Sequence, residues 1–248
     1  MAMRNITFLS RSTVYAAAIA VCGAGASAQT LVPFTETFDF GNAGFEGTSE
    51  GLGATFVATG GGDNSGFITE TVAALGGMGT TVFAAEVIGA GTVVFDENGD
   101  PQPASPPASG GAFFGDFIES GITGVTFDIR HDSAEDVVVG LRIAPPPNFP
   151  GAFPSFDQFV TLGATSEFQT IAFDISSLAT VGFEGAPTPA NFEAVFGNVG
   201  NLQVFVSGDA IVGTTFDLDN FGIVPEPASL VLVAAGALAT LGRRRTRG

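Results

Sequence analysis

The chain has 248 residues, with 25 Asp and Glu side chains against 8 Lys and Arg, which gives a formal charge of −17 at pH 7. An acidic surface of this kind repels phosphate backbones, so the composition excludes nucleic-acid binding. The single cysteine, Cys22, excludes an internal disulfide, so the stability of the fold must come from packing.

The N-terminal 28 residues have the three parts of a secretory signal peptide. Arg4 and Arg11 lie near the start, an apolar run follows, and Ala26-Ser27-Ala28 closes it. The apolar run is too short to span about 30 Å of hydrocarbon as a permanent anchor. We therefore expect signal peptidase to cleave after Ala28 and the rest of the chain to be exported.

Residues 29–223 have the composition of a single β-rich domain. Apolar residues alternate with polar ones in short runs, which are separated by Gly, Pro, Asn and Asp, and this is typical of many short strands. The clearest runs cover residues 125–129, 137–143, 171–175 and 202–206, and residues 112–118 are a further candidate strand. We predict an all-β fold, a single antiparallel β-sandwich or jelly roll, with one short helix between Thr188 and Gly197.

The predicted domain is more acidic than the whole chain. Residues 29–224 hold 24 of the acidic side chains and two cations, Arg130 and Arg142, which leaves a formal charge of −22. Such a domain concentrates cations such as Ca²⁺ around itself. Calcium takes carboxylate, carbonyl and amide oxygens as ligands.

Two acidic residues share strand faces with apolar ones. Regular alternation gives one face with Phe34, Glu36, Phe38 and Phe40, and another with Asp219, Phe221 and Ile223. Both carboxylates would then point toward the core, where they are costly unless they are paired or bound to a metal. The two arginines cannot neutralise many carboxylates, so Ca²⁺ is the expected partner.

A second apolar segment, with a motif on one side and arginines on the other, lies near the C-terminus. Pro225-Glu226-Pro227 precedes apolar residues 228–241, and Arg243, Arg244, Arg245 and Arg247 follow. About 16 helical residues reach about 24 Å, which is a marginal transmembrane span. The positive-inside rule keeps the arginines cytoplasmic and places the large domain outside the inner membrane.

In identity, order and position, these three features of residues 224–248 resemble the PEP-CTERM sorting signal. The resemblance implies that the protein is anchored transiently in the inner membrane, and that an exosortase-type membrane protease then removes the tail. It also implies a final location at the cell surface or outside the cell, among exopolysaccharide and biofilm material. The alternative is an ordinary tail anchor behind a chance Pro-Glu-Pro.

Three short segments of the region between the two ends belong together: Thr35-Glu36-Thr37-Phe38-Asp39-Phe40, the glycine-rich residues 60–67, and Phe216-Asp217-Leu218-Asp219-Asn220-Phe221. On these segments the region resembles jelly-roll domains of the carbohydrate-binding-module type. It implies a structural Ca²⁺ held by Glu36, by Asp63 or Asn64, and by Asp219. The alternative is that Glu36 and Asp219 face solvent and that the glycine-rich segment is a plain turn.

The aromatic composition does not support sugar binding, although such binding is common in the domains that this region resembles. The chain has no Trp, and Tyr15 lies in the signal peptide, so the usual aromatic platforms with a polar atom are missing. We expect most Phe side chains to be in the core. The candidates for exposed contacts lie in or beside loops, and they are Phe113, Phe114, Phe149, Phe153 and Phe156.

No catalytic motif stands out. His131 is the only histidine, we expect it in a loop, and the chain has no Gly-x-Ser-x-Gly or His-Glu-x-x-His motif. Our leading hypothesis is a non-catalytic exported protein of the cell surface or matrix, associated with exopolysaccharide. A glycan-binding module is the first alternative. A carbohydrate-active enzyme is the second, and it would need two carboxylates about 5–10 Å apart across a cleft.

Overall fold

The computed structural model describes residues 31–47, 54–73, 80–86, 94–95, 101–102, 108–146, 149–163, 165–209 and 211–225. The predicted signal peptide and the chain beyond Pro225, with Glu226, Pro227 and the four arginines, lie outside these ranges. Within them, no helix has the length and apolar character needed to cross a membrane.

Strands dominate the described residues. In chain order they are β1 Phe34–Glu36, β2 Thr55–Val57, β3 Phe67–Thr71, β4 Thr80–Glu86, β5 Val94–Phe95, β6 Pro101–Gln102, β7 Ile122–His131, β8 Val137–Ala144, β9 Ala152–Pro154, β10 Val160–Leu162, β11 Thr165–Asp174, β12 Val181–Phe183, β13 Asn201–Ser207 and β14 Thr215–Pro225. The same residues include one α-helix, α1 (Pro189–Phe196), between β12 and β13, and two short 3₁₀ helices, Ala108–Gly111 and Phe156–Gln158.

Two antiparallel sheets of six strands each make the domain. Sheet 1 has the order β11-β7-β14-β3-β2, and β1 pairs with β14 as well. Sheet 2 has the order β12-β9-β8-β13-β4, and β10 pairs with β8 as well. The prediction of an all-β antiparallel sandwich is confirmed, and so are the strands around residues 125–129, 137–143, 171–175 and 202–206.

The core lies between the sheets and is built largely from phenylalanine. Phe221 on β14 packs edge-on against Phe113, with ring centroids 5.1 Å apart, and against Phe45 at 5.4 Å. Val139, Leu141 and their neighbours on β8 bury alternate side chains on the facing sheet. Without disulfides, this apolar packing is the main source of stability.

Helix α1 follows its predicted signals. Thr188 caps it, since its Oγ1 accepts a hydrogen bond of 3.2 Å from the amide of Asn191. Pro189 is the first helical residue and Gly197 is the C-cap. These are the residue types expected at each position.

Two local predictions were wrong. Residues 112–118 form turns and a bridge from Gly115 to Val199 instead of a strand, and the turns bury Phe113 and Phe117. At the start of the domain, strand alternation ends with β1 because Phe38 has a φ of 51°. Phe38 is still buried, but Phe40 is 100% exposed instead of facing the core.

Both ends of the described domain reach the same turn. The amide of Leu31 donates a hydrogen bond of 2.7 Å to Oγ of Ser120. Two residues further along the chain, Ile122 pairs with Pro225 at the end of β14. The chain therefore enters and leaves the sandwich at one end.

Candidate functional site

The outer face of sheet 2 carries four phenylalanine rings in sequence, which we call the phenylalanine row. The row is Phe153 on β9, Phe156 and Phe159 in and beside the turn that follows, and Phe205 on β13. Successive ring centroids lie 5.5, 5.2 and 5.4 Å apart. Phe156 is 70% exposed and the other three rings are half-buried, so the row is a connected series of rings of which Phe156 is the most accessible.

Glycine residues on the neighbouring strands make space for two of these rings. Phe205 lies opposite Gly140 of β8, and a side chain on Gly140 would overlap the Phe205 ring. Phe153 lies opposite Gly182 of β12, and a side chain there would overlap the Phe153 ring. The absence of a Cβ at these positions lets the aromatic rings lie across the adjacent strand.

A polar group adjoins the row, which we call the Arg142 cluster and define as Arg142, Glu184 and Gln203. Arg142 donates from Nε and Nη2 to the two carboxylate oxygens of Glu184, at 2.7 and 2.9 Å, and from Nη1 to Oε1 of Gln203 at 3.1 Å. The hydrogen bond from Arg142 lowers the pKa of Glu184 and keeps it ionised. The amide of Gly151 also donates to Glu184, at 3.0 Å.

Strand register places this cluster beside the row. Arg142 and Gln203 are opposite each other on β8 and β13, and two residues along lie Gly140 and Phe205. Residues two apart on a strand share a face, so the cluster and Phe205 are neighbours. The combination is an aromatic surface with charged and amide hydrogen-bonding groups at its border.

Only part of this face was predicted. Of the five phenylalanines that were candidates for exposed contacts, Phe156 is 70% exposed and Phe149 is 67% exposed, Phe153 is half-buried, and Phe113 and Phe114 are buried. Phe159 and Phe205 of the row, and Glu184 and Gln203 of the Arg142 cluster, were not predicted from the sequence. The sequence did contain one indication of this face. Phe205 lies between Val204 and Val206, which are buried, so strand alternation predicts that the Phe205 side chain points outward.

The second candidate region is the acidic one around Asp219, on sheet 1. Asp219 does not share a face with Phe221 and Ile223, so that prediction was wrong. The register of β14 shifts between Asp219 and Gly222, where Asn220 has a φ of 49°. One extra residue reverses which side chains face the core, so Asp219 lies on the outer face opposite Asp128.

The glycine-rich loop, residues 60–66, covers Asp219 and leaves it 0% exposed. The Asp219 carboxylate accepts hydrogen bonds of 2.7 Å from the amide of Gly62 and 2.7 Å from that of Asn220. Burial raises the pKa of Asp219, and the neighbouring Asp63 and Asp128 charges add to this, while the two amide bonds oppose it. A side chain on Gly61 would meet the Asp219 carboxylate, so the loop needs glycine there.

The other acidic and amide groups surround this point. Asn220 donates from Nδ2 to Oδ2 of Asp128 at 2.8 Å. Asp63 is exposed and accepts a hydrogen bond of 2.8 Å from the amide of Ser65, and its bonds with Ser65 lower its pKa. Asn64 is exposed in the same turn, with a φ of 70°.

Glu36 lies elsewhere. It is opposite the buried Phe221 and faces the same side of β1 as Phe34, as predicted. Its carboxylate accepts hydrogen bonds from the amide of Phe38 at 3.0 Å and from Oγ of Ser109 at 2.8 Å. The structure therefore does not bring Glu36 and Asp219 onto one face of sheet 1.

Within the described ranges, acidic side chains alone do not form a metal site. Among the residues that the structure describes, no group of three or more His, Cys, Asp or Glu side chains is arranged to hold a metal ion. Glu36 uses its oxygens in local hydrogen bonds, whereas Asp219 on β14 lies under the glycine-rich loop that carries Asp63 and Asn64. Calcium binding stays a prediction, and the residues at the loop are its better candidates.

His131 is the last residue of β7 and is buried, not in a loop as predicted. Its ring lies 5.8 Å from that of Phe216, centroid to centroid. Neither ring nitrogen has a hydrogen-bond partner within the described ranges. Its surroundings are those of a side chain packed in the fold.

Residues 224–245 match the family model of the PEP-CTERM protein-sorting motif. The predicted tail is thereby confirmed as a sorting signal, which indicates an exported protein that is anchored transiently in the membrane before processing. No curated protein matches the chain.

Several solved structures are similar to the chain at low identity. One holds the CBM22-1–GH10 modules of the N-terminal endo-1,4-beta-D-xylanase 10B of Clostridium thermocellum complexed with xylohexaose, at 10% identity and a TM-score of 0.46, and it covers 79% of this chain. An exo-beta-agarase has 12% identity, a TM-score of 0.47 and 78% coverage. The family 30 carbohydrate-binding module of cellulosomal cellulase Cel9D-Cel44B of Clostridium thermocellum has 14% identity, a TM-score of 0.38 and 81% coverage.

The length covered differs among these structures. The chain spans 29% of the xylanase chain, 25% of the agarase chain and 95% of the family 30 module. At 10 to 14% identity, the likeness concerns the fold.

Proposed function

We propose that this protein is an exported, non-catalytic glycan-binding module that uses the phenylalanine row and the Arg142 cluster to hold a polysaccharide. The observation that carries the proposal is the connected series of four rings on the outer face of sheet 2, next to charged and amide groups. Partly exposed aromatic rings with a few polar groups at their border are typical of ligand-binding faces, and here Phe156 is the exposed ring and the other three are half-buried.

The two parts of this face suit the two chemical aspects of a sugar ring. Aromatic rings offer apolar area to the C–H groups of a sugar, and Phe156 is the most accessible ring of the row. Phenylalanine has no polar atom, so hydrogen bonds to hydroxyl groups must come from the neighbours. Gln203 and Glu184 supply amide and carboxylate groups, and Arg142 supplies guanidinium donors.

The charge of the domain favours a neutral glycan. Its two arginines are both ion-paired, Arg130 with Asp217 and Arg142 with Glu184, each at 2.7 Å. A domain with a formal charge of −22 over residues 29–224 repels an acidic polymer unless cations bridge the two. We therefore propose neutral polysaccharides as the ligand class.

The sorting signal supports a place for this binding. After the exosortase-type protease removes the tail, the module remains at the cell surface or outside the cell and there associates with exopolysaccharide.

Calcium is a second proposal: Asp219, with Asp63 and Asn64 in the glycine-rich loop, would bind Ca²⁺ and reinforce the loop. The burial of Asp219 beside two other carboxylates supports it, because a cation would offset their repulsion.

Affinity electrophoresis tests the glycan proposal. Labelled residues 29–225 would be run in gels containing xylan, a neutral β-glucan or agarose, with alginate as the acidic comparison. We expect slower migration in at least one neutral gel, and loss of the retardation in the variant Phe156→Ala. Equal migration in all gels, or retardation that Phe156→Ala leaves unchanged, would contradict the proposal.

A further inference from the structure

The final strand of the domain ends on the first residue of the sorting motif. β14 runs from Thr215 to Pro225, and Pro225 is the first proline of Pro-Glu-Pro. β14 is an inner strand of sheet 1: it pairs with β3 over residues 215–218 and with β1 over residues 221–223, while β7 pairs with it from Phe216 to Pro225. The signal therefore begins inside the sheet, without a spacer after the fold.

The last three residues of β14 differ in burial and in the number of strands with which they pair. Ile223 is 1% exposed and pairs with Phe34 on β1 and with Val125 on β7. Val224 pairs with Gly124, and a Cβ built on Gly124 would lie 2.7 Å from Cγ2 of Val224, so the valine side chain rests on the glycine. Pro225, after a register shift, pairs with Ile122 and is half-buried.

The apolar segment follows at once. The segment begins at Ala228, three positions after Pro225, and three residue steps span about 10 Å at full extension. While the tail is in the membrane, the folded sandwich is thus held close to the bilayer surface. A membrane protease meets the motif directly against the end of sheet 1.

Opening β14 would be unfavourable. A peptide bond in a sheet must leave its ladder before a protease reaches its carbonyl, and cleavage then depends on the population of the opened state. For a bond before Pro225, that opening removes Val224 from Gly124 and, further in, exposes Ile223 in the core. A bond beyond Pro225 needs no opening of the described sheet.

We propose that the sorting protease cuts on the C-terminal side of Pro225 while the sandwich is folded, so that Val224 and Pro225 stay paired with β7 in the mature protein. This inference rests on the proposed processing of the tail. The carbon–nitrogen bond of a peptide beyond Pro225 breaks, and water supplies the hydroxyl of the new carboxyl group. The proton goes to the amine that leaves with the arginine-bearing tail.

Mass spectrometry of the exported protein tests this. The full chain would be produced in a bacterium with an active PEP-CTERM-processing protease, and in the same strain with that protease inactivated, and the C-terminal peptide would be identified in both. We expect a C-terminus at Pro225 or beyond in the first strain and the intact tail in the second. A C-terminus at Val224 or earlier would overturn the inference and leave processing established, whereas an uncut chain in the active strain would overturn both.

Two variants sharpen the result. With Gly-Ser-Gly-Ser inserted between Val224 and Pro225, we expect the mature protein to keep the whole insertion and to gain its mass, and loss of any inserted residue would overturn the inference. The variant Gly124→Ala loosens the end of β14 by displacing Val224. We expect its processing rate to stay within about 2-fold of the parent rate, since no opening is needed, and a larger acceleration would contradict the inference.

Discussion

Asp219 on β14 and Asp128 on β7 lie directly opposite each other, and the glycine-rich loop closes over both carboxylates. Gly62 donates its amide to Asp219, and a Cβ on the same glycine would lie 2.9 Å from Oδ2 of Asp128. Two like charges are thus held together and partly shielded from water. The first three predictions concern this pair.

The variant Asp219→Asn should lower the free energy of unfolding by about 1–3 kcal/mol. Both oxygens of Asp219 accept amide hydrogen bonds, and the NH₂ group of asparagine would face a donor in place of one of them. Urea unfolding measures the change. The matched control is Asp209→Asn at an exposed position, which should stay within about 0.5 kcal/mol of the parent. Equal stability of Asp219→Asn and the control would contradict this assignment.

The pKa of Asp219 predicts a pH dependence. Because burial raises this pKa above the ordinary value of 3.8, the folded state holds the proton more tightly than the unfolded state. The part of the stability contribution of Asp219 that depends on its proton is therefore full below about pH 3.8 and is lost as pH rises through its raised pKa. Urea unfolding of the parent and of Asp219→Asn between pH 3.5 and 7 should show the difference in stability falling with pH. A difference that rises over this range would contradict the raised pKa.

Calcium should stabilise the domain if the proposal for the loop is right. A ligand at 100 times its dissociation constant adds about 2.7 kcal/mol to the free energy of unfolding. We expect thermal unfolding of the parent to move upward in excess Ca²⁺ relative to chelator, and the shift to vanish in Asp219→Asn. Glu36→Gln should keep the shift, because Glu36 lies on the other face. An identical unfolding temperature of the parent with Ca²⁺ and with chelator would exclude a tight site.

On sheet 2, Phe156→Ala should weaken binding of a neutral glycan by about 1 kcal/mol, which is about 5-fold. The ring is 70% exposed, so its removal should leave stability nearly unchanged. Phe40→Ala is the matched control, since Phe40 is fully exposed and lies outside the phenylalanine row. Titration of the labelled variants with a soluble glycan measures the affinities. An equal loss in both variants would show non-specific aromatic contact.

Strand positions were predictable because the alternation of apolar and polar residues, with a period of two, can be recognised within a short segment of sequence. Val137, Val139, Leu141 and Ile143 alternate with no insertion, and β8 follows them. The register shift at Asn220 has no such local signature, since an asparagine with positive φ looks in sequence like any other polar residue of a strand. One residue there reverses the orientation of Asp219 relative to Phe221.

The phenylalanine row could not be predicted for a different reason. It depends on which strands pair, because Phe205 and Phe159 come from segments that only sheet 2 brings together. Gly140 and Gly182 make space for the rings of Phe205 and Phe153 on the neighbouring strands, and the sequence alone does not show which residues pair with these glycines. Local pattern therefore predicted the core, whereas the candidate binding face follows from tertiary pairing.

The shared turn that receives both Leu31 and Pro225 has a consequence for engineering. A domain whose two ends lie close together can be inserted into a loop of another protein without separating the two ends of that loop. The same geometry makes the sandwich a natural candidate for circular permutation, with new ends placed in loops at the far side.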